Sequence, residues 1–291
     1  MQKILSYIIY GFVRLLSFLP LRILYFISDL IYLFVYYIFR YRRGIVNQNL
    51  QLSFPEKSKN ELKLIGKEFY LHFCDIFIET IKFWTISESE IKQRCKFIQS
   101  DFMSQYEKEG KSVIAILGHY GNWEWMTSFS AWNDYLFMPI YKPLHNKVFD
   151  KMFIQIRERF GAKTLPKQDT LRRMLSCRNQ NRFTITAFIG DQTPNKRNIH
   201  YWTTFLNQDT PILQGTERIA KKMDQAVVYV CMRKIKRGYY EVEFIPLFDH
   251  PKQTAEFEIT EKHTRILEEI IKSDPAYWLW SHNRWKHKKE I

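Results

Sequence analysis

Apolar positions along this chain follow three different rhythms. From 4 to 39 they are nearly continuous, broken only by Arg14, Pro20, Arg22 and Asp29. Residues 21–39 are long enough to cross or dip into a bilayer, which takes roughly 20 apolar residues. No short apolar core with a small-residue cleavage site marks the stretch as a cleaved signal peptide. Arg40, Arg42 and Arg43 follow directly, and by the positive-inside rule they stay cytoplasmic with the rest of the chain. Tyr32, Tyr36, Tyr37 and Tyr41 suit an interfacial belt. Residues 1–43 are therefore expected to be a membrane-anchoring segment that spans or lies in the interface, and 44–291 a single further domain.

The second rhythm is helical. Leu62, Ile65, Phe69, Phe73, Ile76, Phe77, Ile81 and Trp84 recur at helix spacing, after a turn at 53–58, with Ser58 or Asn60 as cap. Glu79 and Lys82 in this helix read as polar-face residues. The third rhythm alternates. Strand-like runs at 112–117, 136–141, 183–189, 226–232 and 239–246 are separated or followed by helical stretches at 123–132, 147–160, 170–178, 215–223 and 256–273. This predicts an α/β domain with a central, mostly parallel or mixed sheet flanked by helices. The last two strands form an antiparallel hairpin around Lys236-Arg237-Gly238.

Composition narrows the partners. The formal net charge is +14, which favours an anionic partner, and aromatic residues make up 16% of the chain. Both suit a protein at an anionic membrane surface or a single-strand nucleic-acid binder. Many aromatics concentrate in 7–41, where no strand-binding sheet is readable, so the membrane is expected and nucleic acid is not. Cys74, Cys95, Cys177 and Cys231 contain no C-x-x-C pair. Reduced, buried thiols in a cytosol-facing domain are expected, with no metal and no cofactor.

The chemistry concentrates at 114–125. An apolar strand stops at Gly118, His119 follows, and Glu124 sits five positions later. The edge of an open α/β sheet is where such folds place their chemistry. On a regular helix these two side chains would point about 140° apart, so they meet only if the chain turns, and Gly121 allows that. A general base with a carboxylate to orient it is the chemistry this pair suggests. Further loops with polar groups are 141–146 with Arg157-Glu158-Arg159, Gly190-Asp191-Gln192-Thr193-Pro194, 205–211 leading to Gly215, and 277–285. His145, His200, His250 and His263 have no carboxylate at ligand spacing and read as ordinary residues.

His119-Tyr-Gly-Asn-Trp-Glu124, Asp191-Gln192 after a strand, and Trp280-Ser-His-Asn-Arg-Trp285, in this order, resemble the bacterial lipid A biosynthesis acyltransferases. These are late, acyl-carrier-protein-dependent members of the lysophospholipid acyltransferase superfamily, with a glycerol-phosphate acyltransferase-like fold. The resemblance covers nearly the whole chain, so 44–291 would be one acyltransferase domain. It implies transfer of a fatty acyl group from an acyl-carrier-protein thioester, or acyl-CoA, to a hydroxyl of a phosphorylated lipid A precursor. The setting would be the cytoplasmic face of the inner membrane. His119 would deprotonate the hydroxyl and Glu124 would hold the imidazole, with no covalent intermediate. Arg159 would bind a phosphate or aid the oxyanion. Asp191 and Gln192 would shape the site floor, Asn122 would brace the loop, and Arg284 would bind substrate. Segment 203–215 matches the family only loosely, which leaves the donor chain length open.

Other acceptors, an aminolipid, another glycolipid or a lysophospholipid, keep the same chemistry. A non-catalytic membrane-bound binding protein would explain the charge and the aromatics but has no need of the His119/Glu124 pair.

Overall fold

The computed structural model describes residues 2–98, 101–133 and 135–289. The chain opens with α1 (Gln2–Ser17), α2 (Leu21–Leu33), α3 (Arg43–Ser53), α4 (Lys59–Phe83) and α5 (Glu88–Arg94). Strand β1 (Cys95–Ile98), α6 (Asp101–Lys108), β2 (Val113–Leu117), β3 (Leu136–Tyr141), α7 (Lys147–Arg157), β4 (Leu165–Pro166), α8 (Thr170–Asn179) and β5 (Thr184–Ile189) follow. The rest is β6 (Trp202–Phe205), β7 (Gln208–Pro211), α9 (Gly215–Met223), β8 (Ala226–Lys236), β9 (Tyr239–Phe248) and α10 (Glu258–Ser273).

Seven strands form one sheet in the order β1-β9-β8-β2-β5-β3-β4. Every pairing in it is parallel except the β8–β9 hairpin. β2 is buried at all five positions, as a strand covered on both faces must be. Its Val113, Ala115 and Leu117 enter a layer with Trp125, Phe129, Met152 and Ile156. Its Ile114 and Ile116 enter the opposite layer with Met174, Cys177, Leu267 and Ile271. The mixed α/β architecture with a mostly parallel sheet is as the alternation predicts.

The strand order creates one crevice. β2 continues to β3, which lies beyond β5, while β5 continues through the separate β6–β7 hairpin and α9 to β8, which lies beyond β2. Adjacent strands β2 and β5 thus send their connections in opposite directions. A gap opens beyond their C-terminal ends, the place where open α/β sheets bind ligands.

Several elements differ from the sequence expectation. Segment Trp123–Ala131 is a 3-10 helix, with three residues per turn. That period turns Trp125 and Ser128 inward, and it sends Glu124 and Thr127 to the crevice. β1 and β4 are short strands at the two edges, too short to carry a pattern. Segment 205–211, read as a loop, carries the turn and second strand of the β6–β7 hairpin, turning through Leu206 and Asn207 at φ 49° and 61°. Ser58 caps α4 through a reciprocal box with Glu61.

α2 runs on without a break through a π-helical turn at Phe34–Ile38, and Leu21–Ile38 is long and apolar enough to cross a membrane. It packs along α4, and α1 packs on α4 and α7. Leu21 and Leu24 meet Ile78 and Ile81, Ser28 donates to Asp75, and Tyr36 meets Tyr70 edge-on. The face of α4 that bears Glu79 and Lys82 is not solvated: His72, Asp75, Glu79 and Lys82 are all buried.

Candidate active site

Parallel pairing sets the first contact. Leu117 of β2 lies opposite Ile189 of β5, so the residues that follow, Gly118-His119 and Gly190-Asp191, emerge side by side. His119 Nδ1 lies 2.6 Å from Asp191 Oδ1, and the His119 backbone N–H donates to Asp191 Oδ2 at 2.8 Å. Trp278 Nε1 donates to the same Oδ2 at 2.8 Å. Gly118 is needed for this approach, because a Cβ there would stand 2.8 Å from Leu267 Cδ1 and 3.3 Å from Asp191 Oδ2.

Burial pushes the Asp191 carboxyl up, but the facing imidazole and the three N–H donors outweigh it and hold the group well below the usual carboxylate range. An ionised Asp191 accepts from Nδ1–H, which leaves the lone pair on Nε2 as the basic site. Nε2 points toward the crevice, where the Gln192 side-chain amide lies 3.3 Å away. The Trp123 ring stands edge-on to the imidazole, with centroids 5.0 Å apart.

Glu124 has a different partner from the one its spacing suggested. Arg157 grips it with a bidentate fork, Nε to Oε2 at 2.8 Å and Nη2 to Oε1 at 2.7 Å. Burial raises the Glu124 carboxyl, and the guanidinium more than offsets that. The expectation that Glu124 holds the imidazole is therefore corrected: Asp191 occupies that position. The reason is local. Gly121 turns at φ +62°, and the 3-10 helix then carries Glu124 toward α7, away from Nδ1. His119, Glu124, Arg157 and Gln192 still share one cleft of about 710 Å³. Its walls include Phe153, Ile140, Phe188, Ile219 and Leu279, and Lys142 and Lys167 also line it.

Three other expected residues sit elsewhere. Asn122 is fully buried; its Oδ1 accepts from Trp125 N–H, and its Nδ2 donates to Glu79 Oε2 at 2.6 Å. It braces the loop from behind and does not touch the cleft. Arg159 donates from Nε and Nη2 to the Ile86 carbonyl at 3.1 and 2.7 Å, so it clamps the segment after α4, and it does not line the cleft. Arg284 is 1% exposed and donates to the Pro211 carbonyl at 2.8 Å. It lines a separate cavity of about 10 Å³ with Asp191, Gly190 and His263, room for a single water and no substrate. Arg157 and Trp278 stood in the polar segments named from the sequence but were given no role there. Asp191 was expected at the site floor, and it is found there as the partner of His119; the signal was two apolar runs that both end in glycine before a polar residue.

Among the described residues, no group of three or more His, Cys, Asp or Glu could hold a metal ion. All four cysteines are buried free thiols.

His263 supplies a prediction about pH. Burial pulls its imidazole down to about 4, against the carboxylates of Glu217, Asp191 and Glu261. A folded value below the unfolded one, about 6.5, means stability that is fully present above 6.5 and is lost as pH falls toward 4. Relative to His263→Gln, the native protein should lose about 3 kcal/mol of unfolding free energy over that range. Denaturant unfolding of both at pH 7 and pH 4 checks this; a constant gap would refute it.

The sequence model for bacterial lipid A biosynthesis acyltransferases matches residues 1–287. Two Haemophilus influenzae proteins named lipid A biosynthesis acyltransferase are similar to this chain. One is 22% identical over 251 residues, covering 86% of this chain and 79% of the relative. The other is 21% identical over 277 residues, covering 92% and 83%. An Escherichia coli lipid A biosynthesis palmitoleoyltransferase is 21% identical over 248 residues, covering 84% and 79%.

Proposed function

The chain belongs to the bacterial lipid A biosynthesis acyltransferase family and is an acyltransferase; from that premise we propose that it moves a fatty acyl group from an acyl-carrier-protein thioester to a hydroxyl of a phosphorylated lipid A precursor, as a late acylation. The observation that carries the reading is the His119–Asp191 pair, with Nε2 facing a large apolar cleft.

In the proposed reaction the acceptor hydroxyl gives its proton to His119 Nε2, and Asp191 stabilises the imidazolium. The oxygen attacks the thioester carbonyl. Arg157, held by Glu124 with Nη1 outside the fork, faces the cleft as the charge that offsets the oxyanion. The C–S bond breaks, and the thiolate takes the proton from His119. No acyl-enzyme is needed. Apolar walls suit acyl chains, while Lys142, Lys167 and the net charge of +14 suit an acidic carrier and acceptor phosphates. The protein would work at the cytoplasmic face of the inner membrane, with α1 and α2 lying in the plane of the interface.

The test is mass spectrometry of lipids after purified protein meets a tetra-acylated, phosphorylated precursor and an acyl-carrier-protein thioester, with acyl-CoA in parallel. A gain of one acyl group from the carrier thioester is expected. A gain only from CoA would overturn the donor. No gain here, with transfer to an aminolipid, another glycolipid or a lysophospholipid, would overturn the acceptor.

A further inference from the structure

Helix α4 presents a buried polar stripe to the back of the turn that carries His119. His72, Asp75 and Glu79 stand at i, i+3 and i+7, so they share one face of the helix. His72 Nε2 lies 3.2 Å from the Gly121 carbonyl, and its Nδ1 lies 3.3 Å from Lys234 Nζ. Lysine can only donate, so Nδ1 accepts and Nε2–H donates to Gly121. One turn of backbone after His119 is thereby held from α4.

Glu79 holds the next residue. Its side chain is wholly buried, and three neutral donors converge on its carboxylate. Tyr25 of α2 donates to Oε1 at 2.8 Å. Asn122 Nδ2 and Tyr240 of β9 donate to Oε2 at 2.6 and 2.7 Å. The Glu79 carbonyl also accepts from Trp125 Nε1 at 3.2 Å. Asn122 in turn caps the 3-10 helix that begins with Trp123 and Glu124, the first packed on His119 and the second gripping Arg157. Burial, with Asp75 nearby, pushes the Glu79 carboxyl up to about 7. A buried carboxylate met only by neutral donors is expensive, and packing alone would be served by apolar side chains replacing Glu79 and its donors together.

We propose that Glu79 is a positioning residue for the transfer reaction, fixing through Asn122 the turn that sets His119, Trp123 and Glu124 relative to one another. It does not touch the cleft and takes no part in proton transfer. The misplacement it prevents is of a size that matters, since about 1 Å at reacting groups costs on the order of 10²-fold in rate.

This role has a signature that a purely structural one lacks. Glu79→Met removes every acceptor and leaves Asn122 Nδ2 unpaired. Glu79→Gln keeps Oε1 for Asn122 and Tyr240, while Tyr25 rotates to accept from the amide. Tyr240→Phe removes a donor from the same carboxylate without touching the turn. The proposal rests on the acyl-transfer reading for its kinetic arm. In that arm Glu79→Met lowers kcat by about 10²-fold with the donor KM changed by no more than about threefold. Glu79→Gln returns kcat to within about fivefold, and Tyr240→Phe leaves it within about twofold. Equal loss in Glu79→Gln and Glu79→Met, or loss in Tyr240→Phe matching Glu79→Met, would overturn the proposal. So would an unchanged kcat in folded Glu79→Met. Where Glu79→Met does not fold, Asn122→Ala breaks the same clasp from the other side, and unchanged kcat there overturns it as well.

A second readout is independent of substrate. The His119 imidazole nitrogens, labelled with ¹⁵N and assigned by their loss in His119→Gln, should shift in Glu79→Met and return in Glu79→Gln. Unmoved resonances would sink the proposal. Absence of transfer by the native protein, with this pattern intact, would sink the reading of the reaction and leave the clasp standing.

Discussion

Asp191→Asn should lower kcat for acyl transfer by roughly 10³–10⁴-fold while the protein stays folded and its donor KM stays nearly constant. Asparagine has nearly the same shape, so the packing around Trp278 and Leu267 survives. What changes is the proton. Asp191 now offers only an acceptor to His119 Nδ1 at 2.6 Å and to the His119 backbone N–H. With the Asn oxygen kept on the backbone N–H, its amide NH₂ faces Nδ1 and forces the tautomer with the proton on Nε2. The lone pair that should take the acceptor's proton is then turned the wrong way. His119→Ala should cost about as much, and the double substitution little more than either alone, because the two act as a unit.

Glu124→Gln is the contrast that gives this its force. The substituted amide keeps one bond to Arg157 and loses the charge that offsets it, so a loss of about 10–10²-fold is expected. The order Asp191→Asn far below Glu124→Gln follows from the geometry. The reverse order, measured by product mass spectrometry under saturating donor, would return Glu124 to the role of orienting carboxylate.

The difference between these two carboxylates also marks where the sequence stops being legible. Strands β2, β3, β5 and the first part of β8 were readable as apolar runs, and β9 as an alternation of apolar and polar residues. His119 was readable because it directly follows one of them. Its partner was not. Glu124 is five residues away in the chain and Asp191 is 72, and only the lateral order of strands, which no local pattern encodes, makes the distant one the neighbour. Arg157 and Arg159 pose the same problem at smaller scale. They stand two residues apart at a helix end and so face different ways, one toward Glu124 and the other toward the Ile86 carbonyl. Arg284 was expected to bind substrate from a loop rich in tryptophan. Trp278, Trp280 and Trp285 are all buried in the core with it. Glu79 looked like a solvated helix position because its helix was taken alone, before α2 and the turn at Asn122 covered it.

The second large effect concerns the face that α1 and α2 turn outward. Ile4, Ile8, Phe12, Leu15 and Phe18 form one exposed stripe, and Ile23, Phe26, Leu30, Leu33 and Tyr37 continue it on α2. Their spacings of three and four residues put each set on one helix side. The opposite stripe of α2, Leu21, Leu24, Ser28, Tyr32 and Tyr36, is buried, and the helix is tied to α4 from end to end. Lys82 donates to the Ser17 and Leu19 carbonyls, Tyr25 bonds Glu79, Ser28 bonds Asp75, and Tyr70 donates to the Tyr41 carbonyl. For this helix to cross a bilayer alone, all of these contacts would have to break. If it crossed while docked, Arg237, which pairs with both Asp29 and Asp75, would enter the hydrocarbon with it. Lying in the interface requires neither. Each phenylalanine sunk there contributes about 1.5–3 kcal/mol. Phe12→Glu with Phe26→Glu should therefore weaken binding to anionic vesicles by roughly 10²–10⁴-fold, as read by co-sedimentation, with the unfolding midpoint little changed. Sidedness separates the two arrangements. With the native thiols buried, Lys3→Cys and Lys252→Cys can be labelled singly by an impermeant maleimide in sealed vesicles. An in-plane α1 and α2 predict labelling of both from the same side. Labelling from opposite sides would mean that Leu21–Ile38 spans the membrane and that its packing on α4 is given up there.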